Sequence, residues 1–154
     1  MKVKIIENDL VIMSTLVSVA SKSTCKRSKC GSIIVSSNSI IGVGYNSMPC
    51  NEVGDCKKDD IPTDFKSDKT CCIHAEQRAI MDALKNGYNL DGSILYFIRL
   101  DDDNNPKVSG DPYCTICSKM ALDSGISRFV LWRKEGWTSY DTKYYNELSF
   151  TYRK

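Results

Sequence analysis

Leu10, Met13, Leu16, Val17 and Ala20 recur at helical spacing behind Asp9, so the pattern predicts a first helix with Asp9 as its cap. Ser21–Lys29 is polar and cationic and breaks that pattern. From Cys30 the composition turns β-rich: Cys30–Ser36 and Ser39–Tyr45 flank a short turn at Ser37-Asn38 and read as an antiparallel hairpin. Residues Asn46–Thr70 follow, rich in Asp, Lys and Asn, with Pro49 and Pro62. Loops of that length are uncommon in compact domains and are usually functional or locally pinned. Cys72–Lys85 then reads as a helix closed by Asn86-Gly87.

Ser93–Leu100 predicts a strand whose Ile94, Leu95, Phe97 and Ile98 suggest burial on both faces. Asp101–Asp111 is a polar loop, Cys114–Asp123 a helix stopped at Gly125, and Ile126–Trp132 a further strand. Strand, helix and strand in that order make the two strands parallel, with a right-handed crossover. Ser139 or Asp141 starts a short last helix through Glu147, and Leu148–Tyr152 reads as a fifth strand. The sum is an α/β fold: a mixed sheet of about five strands with helices on both faces, a three-layer α/β/α sandwich. At 154 residues the chain reads as one domain, residues 1–154, with 46–70 as an insert.

Charge changes this picture little. The 21 basic and 19 acidic side chains leave a formal +2, so no broad basic field demands a polynucleotide partner. Ser14, Thr15 and Ser18 interrupt the apolar run Leu10–Ala20, which argues against a signal peptide and a membrane span. Eight cysteines would suggest disulfides in a secreted chain. Two of them belong to a motif that needs thiolates, which favours a reducing cytoplasm.

That motif carries the chemistry. The single histidine opens His74-Ala75-Glu76, and Pro112-Tyr113-Cys114-Thr115-Ile116-Cys117 follows downstream. A borderline-soft cation takes imidazole nitrogen and thiolate sulfur, and a catalytic zinc uses three protein ligands, leaving its fourth position for water. Cys114 and Cys117 share one face in the first turn if a helix begins near Asp111 or Pro112, where helical partial charge favours thiolate. His74 and Glu76, two apart, would point to opposite sides of a regular helix. They serve one site only if the metal lies off the helix end, which places His74 at or near the start of the helix through Ala79–Leu84. Singly, C-x-x-C also suits a redox pair or half of a structural zinc site, and a lone histidine is usually just packed. Together, and in this order, they point to a catalytic zinc on His74, Cys114 and Cys117, with Glu76 moving protons.

H-x-E followed by P-C-x-x-C resembles the zinc nucleobase deaminases. Ser23-Thr24-Cys25-Lys26-Arg27-Ser28-Lys29-Cys30-Gly31-Ser32-Ile33-Ile34-Val35 is similar to the S-T-C-x-R-x-x-V-G-A-V-I-V run of the deoxycytidylate (dCMP) deaminase family. Gly44-Tyr45-Asn46-Ser47-Met48-Pro49 resembles its G-Y-N-G-x-P, and the cysteine-bearing insert is also a feature of that family. The resemblance spans Ser14 to Trp132. It implies a cytidine deaminase-like fold, a homo-oligomer, and zinc-dependent hydrolysis at C4 of a cytosine nucleotide, dCMP to dUMP plus ammonia. It implies that Asn46 meets the sugar and that the Ala75 N–H meets the pyrimidine carbonyl. Arg27, with Ser23 or Thr24, would meet the 5′-phosphate. A second, structural zinc would take Cys25, Cys56 and one of Cys71 or Cys72. The bland readings are a turn residue for Asn46, a solvated cation for Arg27, and small buried side chains for the extra cysteines.

Three features depart from the family pattern: Tyr113 between Pro112 and Cys114, Arg78 where an Asn is usual, and the long Asp101–Asp111 loop. Two rival functions remain. A tRNA or other nucleic-acid deaminase shares the motifs, and Trp137, Tyr140, Tyr144, Tyr145 and the tail Phe150–Lys154 would then stack bases. A non-catalytic zinc-binding module has no use for Glu76. Near-neutral charge and the Gly44–Pro49 element favour a mononucleotide substrate.

Overall fold

A computed structural model describes residues 2–4, 9–25, 27–52 and 72–152. The elements run β1 (Lys2–Lys4), α1 (Asp9–Ser21), β2 (Lys29–Ser36), β3 (Ser39–Tyr45), a 3-10 turn (Pro49–Asn51), α2 (Ala75–Lys85), β4 (Ile94–Leu100), β5 (Pro106–Lys107), α3 (Thr115–Asp123), β6 (Arg128–Arg133), β7 (Gly136–Asp141) and α4 (Thr142–Thr151). The strands form one mixed sheet in the order β1-β7-β6-β4-β2-β3, with the two-residue β5 paired to β4. The β4–β6 pair is parallel, as the strand-helix-strand order requires.

The expected hairpin is present. Ser37 and Asn38 both take positive φ, 49° and 65°, which is the backbone of a turn matched to strand twist. β4 is buried on both faces, as its unbroken apolar run implies. Tyr96, Ile98 and Leu100 pack with Leu16, Ala20 and Val130 under α1. Leu95 and Phe97 pack with Ala79, Ile80, Ala121 and Tyr145, the inward residues of α2, α3 and α4. The molecule is therefore a three-layer α/β/α sandwich, with α1 the one helix on that side of the sheet among the described residues. Among the described residues, no helix is long and apolar enough to cross a membrane.

At the C-terminal end one expectation fails, and of two expected helix starts the second holds. Leu148–Tyr152 is no fifth strand: its first four residues complete α4. Ser139 starts no helix but lies inside β7. The helix begins one residue after Asp141, whose carboxylate accepts from Lys143 N at 3.0 Å and Tyr144 N at 3.2 Å, an N-cap. With that cap in place, Tyr145 and Ser149 fall on the buried face at helical spacing. β7 escapes a hydropathy reading because Trp137, Thr138, Ser139 and Tyr140 are all buried, so no alternation marks the strand. The loop Asp101–Asp111 is also part of the sheet. It folds back through Asn104, at φ 61°, so that β5 pairs with the end of β4 beyond the β6 ladder.

α2, the helix that carries the first motif, sits almost on the backbone of β3. A Cβ added at Gly44 would lie 2.5 Å from both Ala75 O and Ala79 N. Both α2 and α3 end on a glycine at positive φ. Tyr88 N reaches Ala83 O at 3.1 Å after Gly87, and Ile126 N reaches Ala121 O at 3.1 Å after Gly125, so the last carbonyls are satisfied and the chain turns back to the sheet. Because the clash at Gly44 is with backbone, Gly44→Ala should lower unfolding free energy by about 1–3 kcal/mol, the usual range for overpacking. Gly110→Ala, where nothing lies within 4 Å of the added Cβ, is the control, and denaturant unfolding compares the two.

Candidate active site

Two helix N-termini converge here. His74 is the N-cap of α2, and its N–H donates to Gln77 Oε1 at 3.0 Å, the side-chain half of a capping box. The preceding residue is also pinned, since Ile73 N donates to Ser47 O at 2.9 Å just beyond β3. Cys114 is the N-cap of α3, and Cys117 lies one turn on. The helix starts slightly later than Pro112, yet both sulfurs still belong to its opening turn.

His74 Nδ1 stands 3.1 Å from Cys117 Sγ and 3.4 Å from Cys114 Sγ. The three donor atoms all lie within 4.8 Å of one another, and both cysteines are buried. This donor set fits one cation with bonds of about 2.0–2.3 Å to nitrogen and sulfur. Glu76, at the second position of α2, is buried beside them but is not in the donor set, so the described residues supply three ligands.

Electrostatics agree with that division. Hydrogen bonds from Cys117 and His74 pull the Cys114 thiol down, while the Cys114 contact and then burial push Cys117 up, so the two thiols lose their protons as a pair. A bound cation takes the place of such protons. Burial, and then the Cys114 charge beside it, push the Glu76 carboxyl up to about 7, against the pull of His74.

The other expected residues lie between α1 and β2, just after β3 and at the start of α2. Asn46 is buried, and its Oδ1 accepts from Ser23 Oγ at 2.6 Å and from Cys30 N at 2.8 Å. Its Nδ2 donates to Ser28 O at 2.8 Å. Asn46 thus staples the segment before β2 to the end of β3, and Ser23 is engaged in that staple, while Thr24 and Arg27 are exposed. Ala75 is the first residue of α2 and is buried. Of the additional cysteines, Cys25 and Cys72 are half-buried, and Cys56 and Cys71 lie outside the described residues.

The departures have structural explanations. Arg78 donates to Asn51 Oδ1 at 3.0 Å and Met48 O at 2.9 Å, clamping the turn after Asn46 onto α2. Arg133 Nη1 donates to Gly110 O at 3.0 Å and pairs with Asp111 at 2.8 Å, fixing the end of the long loop just before the cysteine motif. Tyr113 takes a hydrogen bond from Arg99 Nη2 at 3.4 Å, and its ring lies 5.6 Å from that of Tyr152. Arg99 was not marked by the sequence pattern; a lone cation ending an otherwise apolar strand is the signal that could have found it.

A three-layer α/β/α sandwich with an imidazole-dithiol donor set at two helix N-termini defines the class: a metal-site hydrolase fold of the deaminase type. The chain belongs to the family described as cytidine and deoxycytidylate deaminase zinc-binding region, whose model matches residues 6–133. It is 30% identical over 131 residues to a deoxycytidylate deaminase of Mycobacterium phage D29, covering 79% of this chain and 91% of that protein. It is 32% identical over 117 residues to a deoxycytidylate deaminase of Schizosaccharomyces pombe, covering 72% of this chain but only 32% of that longer protein. Among solved structures, the dCMP deaminase of cyanophage S-TIM5 in complex with dCMP and dUMP aligns with a TM-score of 0.57 at 25% identity, over 81% of this chain and 82% of that one. A cytidine deaminase from Burkholderia pseudomallei shares the fold, with a TM-score of 0.59 at 14% identity over 88% of this chain and 94% of that one.

Removing one sulfur should empty the site. Cys117→Ser is expected to lose its active-site zinc, measured by elemental analysis after dialysis, and ammonia release should fall with it.

Proposed function

We propose that this chain hydrolyses dCMP to dUMP and ammonia. The observation that carries the reading is Glu76, buried beside the three-donor cluster without belonging to it. The phage D29 relative and the S-TIM5 complex support dCMP in particular. Bound zinc supplies Lewis acidity, lowering the pKa of its water toward about 7.

The rest is work for the chain's own residues. Glu76 accepts a proton from the attacking water and passes it to N3 of the pyrimidine, making C4 more electrophilic. After the C4–O bond forms, the carboxylate takes the remaining proton from the new C4 hydroxyl and delivers it to the exocyclic amine; the C4–N bond breaks as the C4 carbonyl forms, and ammonia leaves. A buried carboxyl placed beside the metal ligands can both take and give a proton. Asn46 keeps one Nδ2 hydrogen beyond the bond to Ser28 O, a donor for a sugar hydroxyl. The Ala75 N–H, at the opening of α2, would meet the pyrimidine carbonyl. Arg27 would meet the phosphate, with Thr24 or Ser23 beside it.

The nucleic-acid reading is weaker. Trp137, Tyr140 and Tyr145 are core residues, and Tyr145 stacks on Phe129 at 4.0 Å, so they offer no face to a base. We further propose a homo-oligomer working in a reducing cytoplasm. Leu10 and Val11, exposed at 87% and 63% on α1, favour an assembled chain. A structural zinc at Cys25, Cys56 and one of Cys71 or Cys72 rests on the family resemblance.

The deciding measurement is ammonia release across dCMP, deoxycytidine, cytidine, cytosine and tRNA, with dCMP expected to lead; a preference for tRNA would overturn the reading. Glu76→Ala should keep its zinc while losing at least about 10²–10⁴-fold in kcat, because only the proton carrier is removed. Arg27→Ala should cost kcat/KM for dCMP about ten- to a hundred-fold, as a charge-assisted phosphate contact is worth about 1.5–3 kcal/mol. Equal losses on deoxycytidine would remove Arg27 from the phosphate site.

A further inference from the structure

Arg99 ends β4 as its only charged residue. Strand alternation puts it on the face of Leu95 and Phe97, toward α2 and α3, while Ile98 and Leu100 face α1. In the ladder it pairs with Cys30. Cys30 is bonded through its N–H to Asn46, and its Sγ stands 3.5 Å from Ser28 Oγ. On its other side, Arg99 Nη2 donates to the hydroxyl of Tyr113, the residue before the ligand Cys114. The guanidinium thus bridges the loop that delivers the metal ligands and the rim built around Asn46.

Among the described residues it has no anion as a partner. Arg99 Nε is buried with no hydrogen-bond partner, and only a thiol and a phenol lie against the guanidinium among the described residues. Arg133 is ion-paired with Asp111, Arg128 is bonded to Ser139, and Arg78 grips Asn51 and Met48. A half-buried guanidinium without a counter-charge bears a desolvation cost that an anionic ligand would offset. Its five N–H donors form a fork suited to phosphate oxygens.

We propose that Arg99, held at the end of β4 by the Tyr113 hydroxyl, is a second cationic contact for the 5′-phosphate and sets the preference for nucleotide over nucleoside. The proposal rests on the dCMP reading above. It makes Tyr113, the departure from the family motif, the brace that aims Arg99.

The test compares Arg99→Gln and Arg99→Lys with wild type in kcat/KM for dCMP and for deoxycytidine, and in calorimetric affinity for dUMP and deoxyuridine. Arg99→Gln should lower the dCMP-to-deoxycytidine ratio about ten- to a hundred-fold, mainly through KM, and should weaken dUMP binding by a similar factor. Arg99→Lys should restore part of the ratio, since it keeps the charge and loses the fork. Lys85→Gln, an exposed cation in the last turn of α2, should leave the ratio unchanged. If the Gln variant fails to fold, Tyr113→Phe removes only the bracing hydroxyl and should shift the ratio the same way by a smaller factor. Parallel losses on both substrates with falling zinc content would overturn the proposal, making Arg99 a brace for the Cys114 loop. Wild-type preference for dCMP with an unchanged ratio in the variants would overturn Arg99 alone. Ammonia release from neither substrate by wild type would overturn the dCMP reading and this proposal together.

Discussion

Everything at this site depends on two helix N-termini being aimed at one point. N-cap residues stand outside the regular helix, so their side chains can project along its axis instead of from its flank. That resolves the spacing problem of His74 and Glu76, which a helix flank would hold apart. With His74 at the cap and Glu76 in the first turn, both reach the same small volume. The second helix repeats the device with Cys114 at the cap and Cys117 a turn on. Both partial positive ends then face the same sulfur pair, which favours thiolate even before a cation arrives.

Holding two helix ends to ångström tolerance requires packing that cannot slide. The glycines of β3 let α2 settle onto the strand backbone, and a side chain at Gly44 would lift it away. Ile73 and Arg78 then tie the approach to α2 and its first turns to the end of β3. On the other side, β5 and the Arg133–Asp111 pair fix the middle and the end of the long loop before Cys114. The loop and Arg78 depart from the family pattern in sequence, yet both act as supports for the ligand geometry. A site needs such surroundings because binding groups must be held close to their productive positions.

The metal site was legible in the sequence because its chemistry is local: one histidine, one carboxylate and a C-x-x-C pair admit few arrangements. The central strands and the glycine-ended helices were legible for a similar reason, since burial and caps leave strong marks. β7 left none, because a strand covered on both faces by Trp137, Thr138, Ser139 and Tyr140 has no polar alternation to read. α4 was misread in its second half because Leu148, Phe150 and Tyr152 alternate with Ser149 and Thr151 as a strand would. Asn46 was read as a ligand contact or a turn residue. Its three side-chain hydrogen bonds also tie the segment before β2 to the end of β3, and such long-range contacts are invisible to spacing.

Glu76 and Arg99 illustrate opposite solutions to burying a charge near a reaction centre. Glu76 is enclosed beside a thiolate, so its proton is held up to about 7 and becomes available for transfer. A guanidinium has no such escape, because it stays protonated in proteins. A carboxyl can thus answer burial by changing its protonation, whereas Arg99 can answer only by acquiring a partner. In a pocket for a phosphorylated pyrimidine those two answers complement each other, one group managing the proton at C4 and the other the charge at the far end of the substrate.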